Sequence, residues 1–134
     1  MKEVLVMREA VVIDPDALAL EVWDDKSKGS VSWKTLISAD RTDTADLVCG
    51  LAYFGPGERL ARHSHVQPEI AHVVRGYGKA AFERQETPLT EGTTLYVPSS
   101  LKHEFVAGSE GMTLFYTFPA ASFSEIEYQF EDVA

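Results

Sequence analysis

The sequence predicts an all-β protein, a jelly roll or related barrel, on three observations. Strand-like runs rich in β-branched and aromatic residues recur at 30–37, 45–54, 69–75, 79–83, 93–97, 103–107 and 112–118. Turn signals built from Gly, Pro, Ser and Asp separate them. Only one short stretch has helical features, and no internal repeat or low-complexity segment breaks the pattern. Many short strands with regular turns and no long helix suit a β architecture that closes on itself or stacks two sheets.

Taken in order, residues 14–23 are the helical candidate. Asp14 is placed to cap a helix that Pro15 opens at its first position, and so short a helix is expected to pack outside the barrel. Strands follow at 30–37 and 45–54. The second holds Cys49, the single cysteine, so no internal disulfide is possible and a buried small hydrophobe is its expected role. The run 69–75 is rich in Ile and Val and ends at Gly76-Tyr77-Gly78, which predicts a turn into the next strand at 79–83. The runs 93–97, 103–107 and 112–118 complete the set.

With 134 residues, 45% hydrophobic and 25% charged, the chain has ordinary globular composition and length for one domain spanning 1–134. Its 12 basic and 21 acidic residues give a net charge of -9 and a pI near 4.8, which excludes nucleic acid and anionic membrane surfaces as partners. The first nine residues contain acidic side chains and an apolar run of only Val4 to Met7, too short for a signal-peptide core or a membrane span. A cytoplasmic location is therefore expected.

The segment from Gly57 to Glu69 carries the chemistry. In extended backbone side chains alternate between faces, so His63 and His65 point the same way, and Glu69 shares their parity. Pro68 suits the entry of a second strand, which would turn the Glu69 carboxylate toward the two imidazoles. His103, downstream, supplies a third imidazole. A lone histidine near a strand end is ordinarily a surface or hydrogen-bonded residue; two on one face with a carboxylate in parity form a metal-binding pattern. Three neutral imidazoles and one carboxylate leave a divalent ion with a residual charge near +1 and open positions for a small anionic substrate. The donor set suits Fe, Mn, Co, Ni, Cu or Zn and disfavours Mg and Ca. Because imidazole binds metal only when unprotonated, mild acid should release the ion.

These residues resemble the cupins. The first cupin motif is matched by Gly57, His63, His65, Glu69 and Gly76, and the second in part by Gly92, Pro98 and His103, with Ser100 and Ala107 where the motif has glycine and asparagine. The resemblance covers about 31–119, leaving an N-terminal arm 1–30 and a C-terminal tail 120–134. It implies a double-stranded β-helix, the jelly-roll cupin barrel, with His63, His65, Glu69 and His103 as metal ligands.

Within that family, Trp33 to Ile37, the His-Ser-His motif, Tyr116 to Pro119 and Phe123 to Tyr128 look like small bacterial single-domain cupins, including cupin-type lyases of dimethylsulfoniopropionate. In those enzymes the substrate carboxylate binds the metal and a tyrosine removes the alpha proton. That tyrosine lies two residues after the ligand glutamate, where this chain has Ala71. Tyr128, in the matching tail, is the remaining catalytic candidate. His72 has opposite parity to Glu69 and should face away from the metal, in a structural or interface role.

Parity with the ligands nominates Arg59 as an inward guanidinium and Phe105 as an aromatic wall, and Tyr96 as a residue of the mouth. Three functions are compatible: a metal-dependent lyase or isomerase acting on a small carboxylate, an Fe(II)-dependent dioxygenase, and a non-catalytic ligand-binding cupin, to which Ala71 lends weight. Family habit implies a homodimer, and Ile70 and Val74, expected to face outward, supply an apolar face for it.

Overall fold

The computed structural model describes residues 9–131; the apolar run at Val4 to Met7 lies outside them. Nine strands follow in chain order: β1 Glu21–Val22, β2 Ser32–Ile37, β3 Val48–Phe54, β4 Arg59–Ser64, β5 Glu69–Ala81, β6 Glu86–Leu89, β7 Thr94–Val97, β8 His103–Phe118 and β9 Gln129–Phe130. They join in one curled antiparallel sheet, ordered β1-β2-β3-β8-β4-β9, with β5 paired to β6, β7 and β8. Among the described residues no helix is long and apolar enough to cross a membrane.

Two long strands shape the barrel. The first half of β8 pairs with β4 and its second half with β3, while β5 runs antiparallel to β8 along nearly its whole length. Register shifts in that ladder fall between Val73 and Arg75 and between Gly76 and Gly78. The turn expected at Gly76-Tyr77-Gly78 is therefore a bend inside one continuous strand, and 103–107 and 112–118 are likewise one strand. Glycine permits this where the backbones cross: Gly76 and Gly111 each have φ of 80°, and a Cβ on Gly76 would strike the Gly111 carbonyl oxygen.

The helix expected at 14–23 is absent. Asp14 does cap, its carboxylate accepting from Asp16 N at 3.0 Å, but the helical turn is confined to Pro15–Ala17, and Glu21 and Val22 instead pair with Trp33 and Ser32. The segment is too short to sustain a helix without a packed face, and an open strand edge offers backbone hydrogen bonds instead. Strands β4, β6 and β9 were not among the predicted runs; β6 contains Pro88 and pairs on one side only, with β5, as proline requires.

The inner face is built by alternation, which changes phase once along β8, between Ala107 and Met112. Val48, Gly50, Ala52 and Phe54 of β3, Phe105, Leu114 and Phe118 of β8, and Ala71 and Val73 of β5 point into the core, with Phe118 1% exposed. Burial of a phenylalanine to this extent stabilises by about 2–3 kcal/mol. Cys49 has the opposite parity, so it is half-buried on the outer face rather than in the core, where it pairs in register with Thr117.

Candidate metal centre

Two strands bring the imidazoles together, and a third adds a carboxylate. His63 lies near the end of β4, directly across from His103 at the start of β8, with ring centroids 4.2 Å apart. His65 follows just after β4, and Glu69 opens β5. All four are buried, and the ligand atoms of His63, His65 and His103 lie within 4.8 Å of one another. Ser100, in the position of the motif glycine, adopts the left-handed conformation at φ 67°, and its N–H donates to the His65 carbonyl at 2.8 Å. The serine thus makes the turn that glycine makes more cheaply.

Each imidazole is oriented by its own backbone. Nδ1 of His63 donates to Ala61 O at 2.7 Å, that of His65 to Gln67 O at 2.8 Å, and that of His103 to Leu101 O at 2.8 Å. A carbonyl only accepts, so all three rings carry the proton on Nδ1 and present a lone pair at Nε2. Two of those lone pairs meet the same carboxylate oxygen: Glu69 Oε1 is 3.1 Å from His65 Nε2 and 3.4 Å from His103 Nε2. His103 Nε2 has no hydrogen-bond partner. Acceptors converging on an anionic oxygen repel unless a cation stands among them, so the donor set fits a transition metal.

The electrostatics agree. Burial, aided by the neighbouring His103, pushes the His63 pKa down to about 3, which keeps the ring neutral. Burial raises the pKa of Glu69 and donors at its Oε1 lower it, to about 2; with Nδ1 of each ring committed to a carbonyl, His65 and His103 can donate there only as imidazolium.

The cavity beside this cluster measures about 40 Å3 and lies inside the barrel. His63, Glu69, Phe105 and Tyr128 line it, together with Trp23, Trp33, Leu60, Tyr116 and Phe123. The Tyr128 ring centroid is 4.9 Å from that of His63 and 5.4 Å from that of His65. Burial first, then the charge of Glu69, raises the Tyr128 pKa well above the ordinary phenol value.

Two expected pocket residues stand elsewhere. Arg59 is half-exposed and pairs with Glu104 at 3.7 Å outside the cavity. A register shift in β4 between Leu60 and His63 breaks the alternation, so Leu60 lines the cavity where a parity count from His63 nominates Arg59. Tyr96 is 64% exposed; in register it opposes Ile70, on the outward face, while its neighbour Val97 opposes Glu69. His72 also faces outward, hydrogen-bonded through Nδ1 to the Thr94 hydroxyl at 2.8 Å. Ala71 is buried on the inner face opposite Tyr116.

The Cupin domain pattern matches residues 50–118. The chain belongs to the cupin family. This cupin is 37% identical over 118 residues to the dimethylsulfoniopropionate lyase DddW of Ruegeria pomeroyi, covering 88% of this chain and 78% of the lyase. Among solved structures, the polyketide cyclase RemF of Streptomyces resistomycificus superposes with a TM-score of 0.77 at 14% identity, over 96% of this chain and 88% of the cyclase. An oxalate decarboxylase of Bacillus subtilis superposes with a TM-score of 0.73 at 20% identity, over 92% of this chain but 34% of the decarboxylase. These superpositions establish the jelly-roll fold of this cupin.

Cavity residues that sequence reasoning gave no role are Trp23, Trp33, Leu60, Tyr116 and Phe123. Alternation along β8 counted from Phe105 points away from Tyr116, because the inward phase changes between Ala107 and Met112.

Proposed function

We propose that this cupin is a mononuclear metal-dependent enzyme acting on a small carboxylate by lyase- or isomerase-type chemistry. The observation that carries this is the convergence of three Nε2 lone pairs and one buried carboxylate at the wall of a cavity that also holds a phenol. His63, His65, His103 and Glu69 would hold one Fe, Mn, Co, Ni, Cu or Zn ion, which when bound acts as a Lewis acid on a carboxylate oxygen. The relationship to a dimethylsulfoniopropionate lyase supports a carboxylate substrate.

The chain's own residues supply the rest. The neutral imidazoles and single carboxylate leave the site cationic when a divalent ion is bound, which draws in an anion. Aromatic walls keep water out. Tyr128 Oη holds its proton across physiological pH, so it is placed to donate that proton to a basic substrate atom. Ala71 favours a second reading, a carboxylate-binding cupin without turnover, because alanine offers no base beside Glu69.

Metal content by mass spectrometry tests the first step. We expect about one transition metal per chain, and its loss in both His65→Ala and His103→Ala. A metal-free protein that takes up none when supplied would remove the enzyme reading. Tyr128→Phe should then keep the metal and lose at least about tenfold in turnover of a carboxylate substrate, the lower range for losing a positioned acid. Oxygen uptake dependent on Fe(II) would point to a dioxygenase instead.

A further inference from the structure

The candidate metal centre is shut. His63, His65, Glu69 and His103 are each 7% exposed or less. The cavity of about 40 Å3 beside them holds little more than one water, whose share of liquid volume is about 30 Å3, so no carboxylic acid enters it as it stands. Part of its wall has to move to admit one. Most of the wall is fixed: Trp33, Ala52, Leu60, Glu69 and Phe105 stand on β2, β3, β4, β5 and β8, and each of these strands is bonded to neighbours on both sides. Trp23 and Val31 are pinned close by, because Val22 pairs with Ser32 and the Ser30 N–H donates to Arg59 O at 2.9 Å. The remaining lining residues, Phe123 and Tyr128, belong to the tail, which is held differently.

The tail is fastened at two ends. At one, the Ala39 N–H donates to Ala121 O at 2.7 Å and the Phe123 N–H to Ser38 Oγ at 2.9 Å. At the other, β9 pairs two residues with β4 at the edge of the sheet, and Glu131 meets Lys102 at 3.5 Å and Arg62 at 3.9 Å. Between these ends, among the described residues, 124–128 make no hydrogen bond to the barrel. Packing holds them instead: Tyr128 lies 5.2 Å from Trp23 and 5.8 Å from Phe130 between ring centroids. Ile126, Tyr128 and Phe130 turn inward, while Glu125, Glu127 and Gln129 are exposed. On that exposed side lies a second hollow of about 190 Å3, lined by Glu125, Glu127 and Gln129 with Ser64, Ser100 and His65. The tail thus separates an outer recess that touches one candidate ligand, His65, from a closed cavity that touches two others, His63 and Glu69. The hollow beyond Glu69 offers no such route, because its walls include Ile70 and Thr117, cross-strand partners in the β5–β8 ladder.

We propose that residues 124–130 are a strap over the metal centre, hinged near Ala121 and unclasped at β9, which opens to join the recess to the cavity and closes over the carboxylate. This rests on the proposed metal site and its carboxylate substrate. A two-residue edge ladder and half-exposed ion pairs are weak fastenings, so the clasp end releases while the barrel stays folded. The recess is the larger of the two spaces, and joining them makes room for a small acid beside His65. Opening also carries Tyr128 away from His63, so proton donation by its phenol follows closure.

Ser64 and Gln129 are cross-strand partners that both line the recess, so a disulfide between Ser64→Cys and Gln129→Cys locks the clasp. Zinc-loaded full-length protein carrying both substitutions is mixed with the chelator 4-(2-pyridylazo)resorcinol, oxidised and then reduced, and zinc loss is followed by absorbance. We expect the oxidised form to release zinc at least about tenfold more slowly than the reduced form, and acetate to change the visible spectrum of the cobalt-loaded protein more slowly by a similar factor. Equal zinc release in the two redox states, or an acetate response as fast in the oxidised form as in the reduced, would overturn the strap. A second measurement needs no substitution and no metal. In the wild type the Glu131 amide, bonded to Arg62 O at 3.1 Å, should exchange its hydrogen at least about tenfold faster than the Ala52 and Tyr53 amides of β3. Exchange as slow as that of β3 would also overturn the strap. Failure of the metal reading is separate: it shows as zinc below one per chain in both redox states, and amide exchange then decides the strap by itself.

Discussion

Each of the three histidines is fixed by a carbonyl two residues away in its own chain, Ala61 for His63, Gln67 for His65 and Leu101 for His103. The orientation of the lone pairs is thus written locally, and the strands need only bring three prepared groups together. This predicts the acid response of the metal-free chain. His63 in the folded state has a pKa of about 3 against an ordinary 6.5, so below 6.5 the unfolded chain takes up a proton that the folded chain refuses. Stability is fully present above pH 6.5 and declines as pH falls from there toward 3, by as much as about 5 kcal/mol over the whole interval. Thermal unfolding between pH 7.5 and 5 should show a falling midpoint, with a shallower slope in His63→Asn; a flat midpoint in the wild type would contradict the buried neutral ring. The candidate ligands His63 and His65 were legible from parity because they are two apart in one extended segment. Arg59 was not, because the β4 bulge lies between it and His63 and leaves no mark in the residue types.

At the scale of elements, glycine was the ambiguous letter. Gly76-Tyr77-Gly78 reads equally as a hairpin turn or as a bend within a strand, since both need positive φ or close backbone approach. The choice is made by β8, whose own Gly111 lies against Gly76 and lets the two strands cross at short range. Gly76→Ala should therefore cost more than an exposed turn glycine would: about 1 kcal/mol for the left-handed backbone and a further 1–3 kcal/mol for the clash with Gly111. Chemical denaturation with the metal-free protein measures this, and a loss below about 1 kcal/mol would show that the bend is not close-packed. The short helix expected after Asp14 failed for a related reason. Cap and proline were read correctly, but whether the chain continued as a helix depended on β2, whose open edge pairs with Glu21 and Val22.

For the molecule as a whole, the outward face of β5, β7 and β8 is the feature the barrel leaves uncovered. Ile70, Val74 and Tyr96 are 43%, 45% and 64% exposed, and Ile70 and Tyr96 are cross-strand partners. If copies pair through this face, light scattering should give twice the mass of the 14.8 kDa chain, and Ile70→Lys should shift it toward the monomer; a single-chain mass for the wild type would count against pairing there. The sequence by itself determined the β class, the cupin motif and the three histidines that converge in the candidate metal centre, because alternation, turn chemistry and short motif spacing are local properties of the chain. Tertiary structure alone decided that two pairs of predicted strands are each one bent strand, that Arg59 and Tyr96 stand outside the cavity, and that Trp23, Trp33 and Tyr116 meet within it. Those outcomes depend on register between segments far apart in sequence, where a one-residue shift moves every side chain to the other face.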